Sequence, residues 1–239
     1  IKKDMERIKK EYGMPRLTVI EDAEAAVYEE PKFVEQEVVF IMDRFGYAKT
    51  IDIATFERNR DAVYSENKYV FNCMNTEKIC IFTDNGNLHQ IKVLNVPFTK
   101  FRDKGTPIDN LGNYSSAGEE IIYLCPSSQL EGRKYLFVTE KGMVKLVEGS
   151  EFVASKKTIA ATKLVDNDKV SSISITDARS MPSEENPEEA IIVSNQTIVL
   201  QSSNGYFIKF PLVEIPEKKK AAAGVRGIKL ESGDKIEDV

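Results

Sequence analysis

The sequence predicts an all-β fold of about four propeller-like blades, preceded by a short helix. A unit that occurs four times is the main observation: an apolar run leads to a turn glycine and then to a short apolar strand carrying a basic residue. A second match supports the repeat, because residues 163–170 resemble residues 229–236 at a spacing of 66 positions. Self-similarity over tens of residues is typical of propellers and solenoids. The four turn glycines are Gly46, Gly86, Gly142 and Gly205.

Residues 1–12 are predicted to form the end of a helix. Ile1, Met5, Ile8 and Tyr12 recur at helical spacing. A helix of about three turns is too short to be stable alone in water, so we expect it to continue upstream. Because the chain begins with Ile rather than Met, we interpret it as a fragment of a longer protein.

The predicted segments are 1–13 for the helix end, 14–35 for an acidic linker and 36–239 for the β domain. The linker assignment rests on composition, since residues 21–37 carry seven acidic residues and one lysine. Residues 177–189 are also acidic, with five acidic residues and one arginine. The net charge of −5 therefore hides a positive balance in the rest of the chain. The local field, rather than the total charge, steers a polyanion.

Short apolar runs bounded by turn residues predict the strands of the blades. Asn and Gly within 84–87 and 203–206 favour tight hairpin turns, because both residues tolerate positive φ. Residues 233–239 resemble the opening strand of the preceding unit. We therefore expect the chain either to stop within a further blade or to return this strand to the blade before it. The runs expected to form buried strands are 38–42, 79–82, 135–138, 190–193 and 197–201.

The cysteines and the hydropathy pattern argue against several classes of protein. Cys73, Cys80 and Cys125 show no CxxC spacing, so neither a disulfide framework nor a zinc site is predicted. No apolar run approaches the 18 or so residues of a membrane span, and no signal peptide is recognisable. We expect a cytoplasmic protein without a membrane partner.

Catalytic chemistry finds little support in the sequence. His89 is the single histidine, and no GxSxG elbow or phosphate-binding glycine loop accompanies it. Asp166 and Asp168 are interpreted as turn formers rather than as cation ligands. No catalytic residue, metal site or cofactor site is therefore predicted in this chain.

Lys and Arg follow each turn strand, and their recurrence at one place in the repeat predicts a continuous basic rim. A single cluster of Lys and Arg is ordinarily a set of solvent-exposed loop charges. The recurrence of such clusters at one place in the repeat favours a rim. Such a rim would contact the phosphates of duplex DNA largely without reading its sequence, and a curved rim could hold bent DNA. The predicted phosphate contacts are Arg58, Arg60, Lys100, Arg102, Lys104, Lys156, Lys157, Lys218, Lys219, Lys220 and Arg226, with Lys49, His89, Lys145 and Lys209 on neighbouring strands as weaker candidates.

These residues resemble the C-terminal domain of the A subunit of bacterial type IIA topoisomerases, DNA gyrase and topoisomerase IV. Residues 1–16 are similar to the end of the helical segment that closes the breakage–reunion core, and 45–50 with 55–58 are similar to the first blade. Residues 104–108 and 224–230 are similar to the inter-blade loops. The resemblance covers essentially the whole chain. It implies a β-pinwheel, a disc of blades that exchange strands, which binds and bends DNA around its basic edge.

The resemblance also implies a division of labour within a larger enzyme. The family's cleavage tyrosine follows an arginine, and no Arg–Tyr pair occurs among the nine tyrosines of this chain. A non-catalytic part of an ATP-dependent topoisomerase is therefore expected, without a cofactor of its own. Its implied partners are double-stranded DNA, the upstream core of its own A subunit, and also the B subunit. ATP would be bound by that partner, and Mg²⁺ would be used outside this chain.

One departure from the family pattern concerns the first blade. Gyrases carry a glycine-rich basic box there, and residues 57–61 of this chain read Glu-Arg-Asn-Arg-Asp. This difference favours a topoisomerase IV-like or divergent gyrase-like role. Two other classes stay open from the residues alone: a protein-interaction propeller that does not bind DNA, and an enzyme built on a propeller.

Overall fold

The computed structural model describes residues 1–15, 18, 34–165, 167–183 and 190–239. The chain forms two compact units, Ile1–Val34 and Glu35–Val239. In the first unit, helix α1 spans Lys2–Tyr12 and buries none of its residues, so the predicted helix is confirmed. The acidic linker predicted for 14–35 falls largely outside the described residues.

The second unit is mainly β, because its short apolar runs pair as antiparallel strands. Two short helices, α2 (Ile53–Arg58) and α3 (Arg60–Glu66), interrupt the strands near the start. The strands are β1 Glu37–Asp43, β2 Tyr47–Ile51, β3 Asn67–Met74, β4 Lys78–Thr83, β5 Asn87–Lys92, β6 Thr106–Pro107, β7 Ile121–Pro126, β8 Lys134–Thr139, β9 Met143–Glu148, β10 Thr158–Ala160, β11 Val170–Ile175, β12 Arg179–Pro182, β13 Ala190–Val193, β14 Thr197–Ser202, β15 Phe207–Pro211, β16 Val225–Arg226 and β17 Ile236–Asp238.

Four sheets, which we call blades 1 to 4, follow one another along the chain. Each is built on one of the predicted glycine-turn hairpins. The strand orders are β3-β1-β2-β6 in blade 1, β10-β5-β4-β7 in blade 2, β11-β8-β9-β16 in blade 3 and β15-β14-β17 in blade 4. The turn glycines adopt φ values between +75° and +83°, which explains why glycine is needed at these turns. The predicted blade count of about four is confirmed.

The short edge strand of blades 1 to 3 comes from the next repeat of the chain. β6, β10 and β16 each follow the hairpin of one blade and pair with the hairpin of the blade before it, on β2, β5 and β9. The segments that lead to these edge strands, residues 96–105, 153–157 and 215–224, are called the crossing segments below. The blades therefore exchange strands, as the sequence resemblance implied.

The end of the described chain adds a third strand to blade 4. β17 pairs with β14, Gln201 opposite Asp238 and Ser202 opposite Ile236. Of the two outcomes expected for residues 233–239, the structure shows the return of the strand to the preceding blade.

One predicted strand was placed wrongly. Residues 190–193 do form a strand, β13, but it pairs with β12 in a separate two-stranded ribbon and three of its four residues are exposed. An apolar run is buried only where another element packs on it, and of β13 only Ile192 packs against the core cluster between blades 3 and 4. The neighbouring run 197–201 forms β14 within blade 4, as predicted, but only Leu200 of that run is buried.

The core lies between successive blades, because the central strands are apolar on both faces. Phe40 of blade 1 packs with Ile81 of blade 2 in one cluster, and Phe82 with Phe137 of blade 3 in the next. The remaining face of blade 1 is covered by α2 and α3, where Phe56 is buried against the sheet. The sequence had suggested a basic loop here, and an amphipathic helix pair occupies the position instead.

The match between residues 163–170 and 229–236 has a structural basis. Asp168 Oδ1 accepts the backbone N–H of Lys141 at 3.0 Å, and Asp234 Oδ1 accepts that of Asn204 at 3.1 Å. Each aspartate lies just before a strand, β11 or β17, and binds the hairpin turn of the same blade. This fits the interpretation of Asp168 as a turn former. Asp166 lies outside the described residues.

Candidate nucleic-acid interface

The crossing segments gather most of the predicted phosphate contacts at three topologically equivalent places. Lys100, Arg102 and Lys104 are exposed on the first, and Lys156 and Lys157 on the second. On the third, Lys219 is exposed and its neighbours Lys218 and Lys220 are half-buried. The recurrence deduced from the sequence therefore corresponds to a recurrence in the fold.

Backbone contacts dock the first crossing segment on β2. Thr50 N–H donates to Pro97 O at 2.9 Å, and Thr99 N–H donates back to Thr50 O at 3.0 Å. The segment then passes so close to blade 1 that a Cβ on Gly105 would lie 2.5 Å from Ala48 O. No side chain fits at that distance, so glycine is required there. Lys104 Nζ lies 4.2 Å from the centre of the Tyr47 ring, a cation–π distance.

The third crossing segment repeats this docking. Leu146 N–H donates to Pro216 O at 3.2 Å, and Lys218 N–H donates to Leu146 O at 2.8 Å. A Cβ on Gly224 would lie 2.7 Å from Val144 O, as at the corresponding glycine of the first segment. Backbone bonds thus fix both basic segments to the preceding blade.

Two carboxylates moderate the charge of the third crossing segment. Glu151 Oε1 lies 2.8 Å from Lys219 Nζ, and the backbone carbonyl of Glu151 accepts a bond from Lys220 Nζ. The lysine hydrogen bond lowers the pKa of Glu151, so this carboxylate is charged at neutral pH. Glu217 pairs with the buried Lys134 at 2.6 Å. Sequence reasoning missed Glu151, because its partners are 68 and 69 residues away and no local pattern marks it.

Three residues predicted as weaker phosphate contacts, Lys49, His89 and Lys145, have little exposed surface. His89 is 4% exposed and Lys145 2% exposed, and Lys49 is half-buried. Lys145 Nζ donates to three backbone carbonyls of the third crossing segment, and Lys49 Nζ donates to two of the first. His89 lies between Glu119 and Thr158. The three side chains lie on the inner side of the crossing segments, and the three carbonyl contacts of Lys145 use all the N–H donors of its ammonium.

Lys209 does not occupy the equivalent position in blade 4. Leu200 pairs with Ile208 in the register where Phe137 pairs with Lys145, so Ile208 is the true counterpart of Lys145. Lys209 is one residue further along and points to the opposite, exposed face. Its contact with phosphate stays a prediction.

The remaining predicted contacts lie on regular structure. Arg58 ends α2 and Arg60 begins α3, and both are exposed. Arg60 also lies over the Phe56 ring, 5.5 Å from its centre, and 3.9 Å from Glu57. Arg226 is exposed on the exchanged strand β16. Their contact with phosphate also stays a prediction.

The described part of the chain shows few features of a chemical centre. No group of three His, Cys, Asp or Glu side chains within it is placed to hold a metal ion. Burial raises the pKa of the Cys73 thiol to about 12, which makes it a poor nucleophile. Among these residues, no helix is long and apolar enough to cross a membrane.

Strand-exchanging blades with basic crossing segments define this unit as a β-pinwheel. A family model described as DNA gyrase C-terminal domain, beta-propeller, matches residues 77–115, 133–177 and 196–239, more than half of the chain. The chain belongs to this family of DNA gyrase C-terminal domains.

Curated relatives agree with this assignment. The DNA gyrase A subunit of Lawsonia intracellularis is 27% identical over 248 residues, which cover 99% of this chain and 28% of that protein. The DNA topoisomerase 4 A subunit of Streptococcus pneumoniae is 24% identical over 254 residues, covering 99% of this chain and 31% of that protein. The chain thus spans less than a third of the length of these relatives.

Solved structures show the same fold. The crystal structure of the C-terminal domain of DNA topoisomerase IV superposes with a TM-score of 0.70 at 24% identity, covering 85% of this chain and 60% of that one. The E. coli ParC C-terminal domain superposes with a TM-score of 0.62 at 15% identity, covering 84% of this chain and 78% of that one.

Proposed function

We propose that the β-pinwheel binds and bends duplex DNA along its crossing segments, as the DNA-presenting domain of the A subunit of a type IIA topoisomerase. The observation that carries the proposal is the repetition of basic side chains on three crossing segments, two of which dock by equivalent backbone bonds. Counterion release from such a surface would give binding that is steep in salt and largely independent of sequence. The membership in the gyrase family supports the same function.

The rest of the enzyme would supply the chemistry. In this proposal the upstream core of the same polypeptide holds the cleavage tyrosine and its Mg²⁺, and ATP is bound by the B subunit. The pinwheel contributes no catalytic residue and acts in the cytoplasm by presenting a DNA segment to that core. The absence of a glycine-rich box in residues 57–61 favours docking of DNA over strong wrapping.

The proposal is tested by binding of the chain to a linear duplex of about 150 base pairs, close to the DNA persistence length. Energy transfer between dyes at the two DNA ends is recorded across a salt series. We expect binding whose logarithm falls linearly with the logarithm of salt concentration, and an approach of the ends on binding. Binding without end approach would overturn the bending part, and no binding at about 50 mM salt would overturn DNA recognition itself.

One feature favours the protein-interaction alternative. In blades 1 to 3 the corresponding face packs on the next blade. In blade 4 this face carries Phe207, 65% exposed, and Val199, 43% exposed. If the duplex does not bind, this face is the first place to probe for a protein partner, by exchanging Phe207→Ser.

A further inference from the structure

The residue three positions after the turn glycine is a cation or a histidine wherever a crossing segment passes. Lys49, His89 and Lys145 hold this position in blades 1 to 3, beside β6, β10 and β16. In blade 4 the position is Ile208, and no exchanged strand among the described residues pairs with β15. In blades 1 to 3, a lysine or the histidine therefore lies beside each crossing segment.

We propose that this residue is a positioning residue, which gathers polar groups of the crossing segment on its inner side and so turns the basic side chains of that segment outward. The inference rests on the proposed DNA binding, since it explains how the contacting lysines are held. It gives Lys49, His89 and Lys145 a role other than the direct phosphate contact that the sequence suggested.

Lys145 carries the argument furthest. Its ammonium lies 2.8 Å from Ala222 O, 3.0 Å from Lys220 O and 3.4 Å from Lys219 O. An ammonium has three N–H donors, so all of them are directed at this one segment. Three carbonyls that converge on a point curl the backbone around it. The side chain of Lys219 is 85% exposed beside this curl, whereas the ammonium of Lys220 reaches the backbone carbonyl of Glu151.

Lys49 repeats the arrangement in blade 1. Its ammonium donates to the carbonyls of Phe101 and Asp103, the latter at 2.6 Å, and lies 5.5 Å from the centre of the Phe101 ring. Converging carbonyl dipoles repel one another unless a cation lies between them. The lysine supplies that charge, and the carbonyls in turn offset the cost of burying it.

His89 occupies the equivalent position in blade 2 but makes different contacts. Its Nδ1 lies 3.0 Å from Thr158 Oγ1, next to Lys157, and its Nε2 lies 2.7 Å from Glu119 Oε1. The other titratable group facing the ring is Tyr114, with ring centres 6.1 Å apart. Here the histidine holds a side chain of β10 and a carboxylate instead of backbone carbonyls. It thereby links the second crossing segment to blade 2.

The test compares Lys145→Met, Lys145→Arg and Lys229→Met in the full chain. Lys229 is exposed, so its variant removes one charge without touching a crossing segment. Hydrogen exchange of the amides in 215–224 and affinity for the 150-base-pair duplex of the salt-series experiment are both measured. We expect Lys145→Met to speed exchange in this segment at least tenfold and to weaken DNA binding more than Lys229→Met does. The arginine variant, which keeps a multiple N–H donor, should recover most of both losses.

Unchanged exchange in Lys145→Met would overturn the proposal. So would faster exchange with a DNA affinity equal to that of Lys229→Met, because the lysine would then be structural only. If Lys145→Met does not fold, Lys49→Met and the amides of 96–105 give the same comparison in blade 1. Failure of the wild-type chain to bind DNA would remove the proposed function, while the exchange result would still decide whether the cation orders the segment.

Discussion

The ammonium of Lys134 lies 2.6 Å from Glu217 Oε2 and 2.7 Å from Glu148 Oε2. Lys134 begins β8 in blade 3, and Glu217 belongs to the third crossing segment directly before Lys218. Burial lowers the pKa of Lys134, but its bonds to the two carboxylates outweigh that effect and hold it above the ordinary lysine value. A permanent charge therefore anchors the start of a basic segment to the blade that it crosses.

Replacing Lys134 by Met should destabilise the fold by about 1–2 kcal/mol. The change leaves two neighbouring carboxylates without their counter-ion, and because both are about a third exposed, water reduces the cost below that of a fully buried pair. Urea unfolding followed by circular dichroism measures it. Lys229→Met is the control, and an equal loss in the two variants would show that the ion pair contributes nothing.

Alanine at Gly142 should cost more than alanine at Gly205. Both glycines have positive φ, +75° and +80°, so each substitution carries a left-handed strain of about 1 kcal/mol. A Cβ at Gly142 would in addition lie 2.7 Å from Ile228 Cγ2, whereas nothing lies within 4 Å at Gly205. We expect the difference to be about 1–2 kcal/mol in thermal unfolding. Equal losses would mean that Ile228 moves aside freely.

The stability of the pinwheel should depend on Lys145 above neutral pH. Burial lowers the pKa of Lys145 in the folded chain to about 8, against 10.5 as the ordinary value. Between these two values the unfolded chain binds a proton here that the folded chain has lost, so the contribution of Lys145 to the free energy of unfolding rises with pH. Below pH 8 Lys145 is charged in both the folded and the unfolded chain, so this pH-dependent contribution is constant.

The measurement that isolates this effect is the difference in unfolding free energy between the wild-type chain and Lys145→Met at several pH values. We expect the difference to increase in favour of the wild type by up to about 3 kcal/mol from pH 8 to 10.5. A difference that stays flat over this window would contradict the lowered pKa.

Replacing Glu151 by Gln should tighten DNA binding. The change releases Lys219 from its 2.8 Å ion pair and adds one unit of net positive charge beside the third crossing segment. We expect affinity to rise about threefold at 100 mM salt, with a steeper salt dependence. Glu131→Gln removes the same charge at an exposed residue outside the crossing segments. The prediction fails if both variants gain equally.

Charge reversal of Lys218, Lys219 and Lys220 together should weaken DNA binding and flatten its salt dependence by up to three counterions. The reversal also breaks the ion pair of Lys219 and the hydrogen bond of Lys220 with Glu151, so a small loss of stability should accompany it. Fluorescence anisotropy across a salt series provides the measurement. Unchanged affinity would refute the assignment of this segment to phosphate contact.

Local patterns in the sequence were sufficient for the hairpins but not for the positions of the cations. The turn glycines and the apolar runs around them act within a few residues, so four blades could be predicted from them. Lys145 and Lys209 look alike in the sequence, yet a one-residue difference in register places Lys145 against the third crossing segment and Lys209 on an exposed face. The predicted burial of residues 190–193 was wrong for a related reason, because burial of an apolar run depends on what packs against it.

By itself, the sequence determined that the chain is a repeating all-β protein with a basic residue set on each repeat. These features are encoded by contacts close along the chain. The tertiary structure decided which blade each edge strand joins, and thus that Lys49, His89 and Lys145 face inward. Lys145 reaches Ala222 across 77 residues and Lys49 reaches Phe101 across 52, and such contacts exist only after the strands have been exchanged.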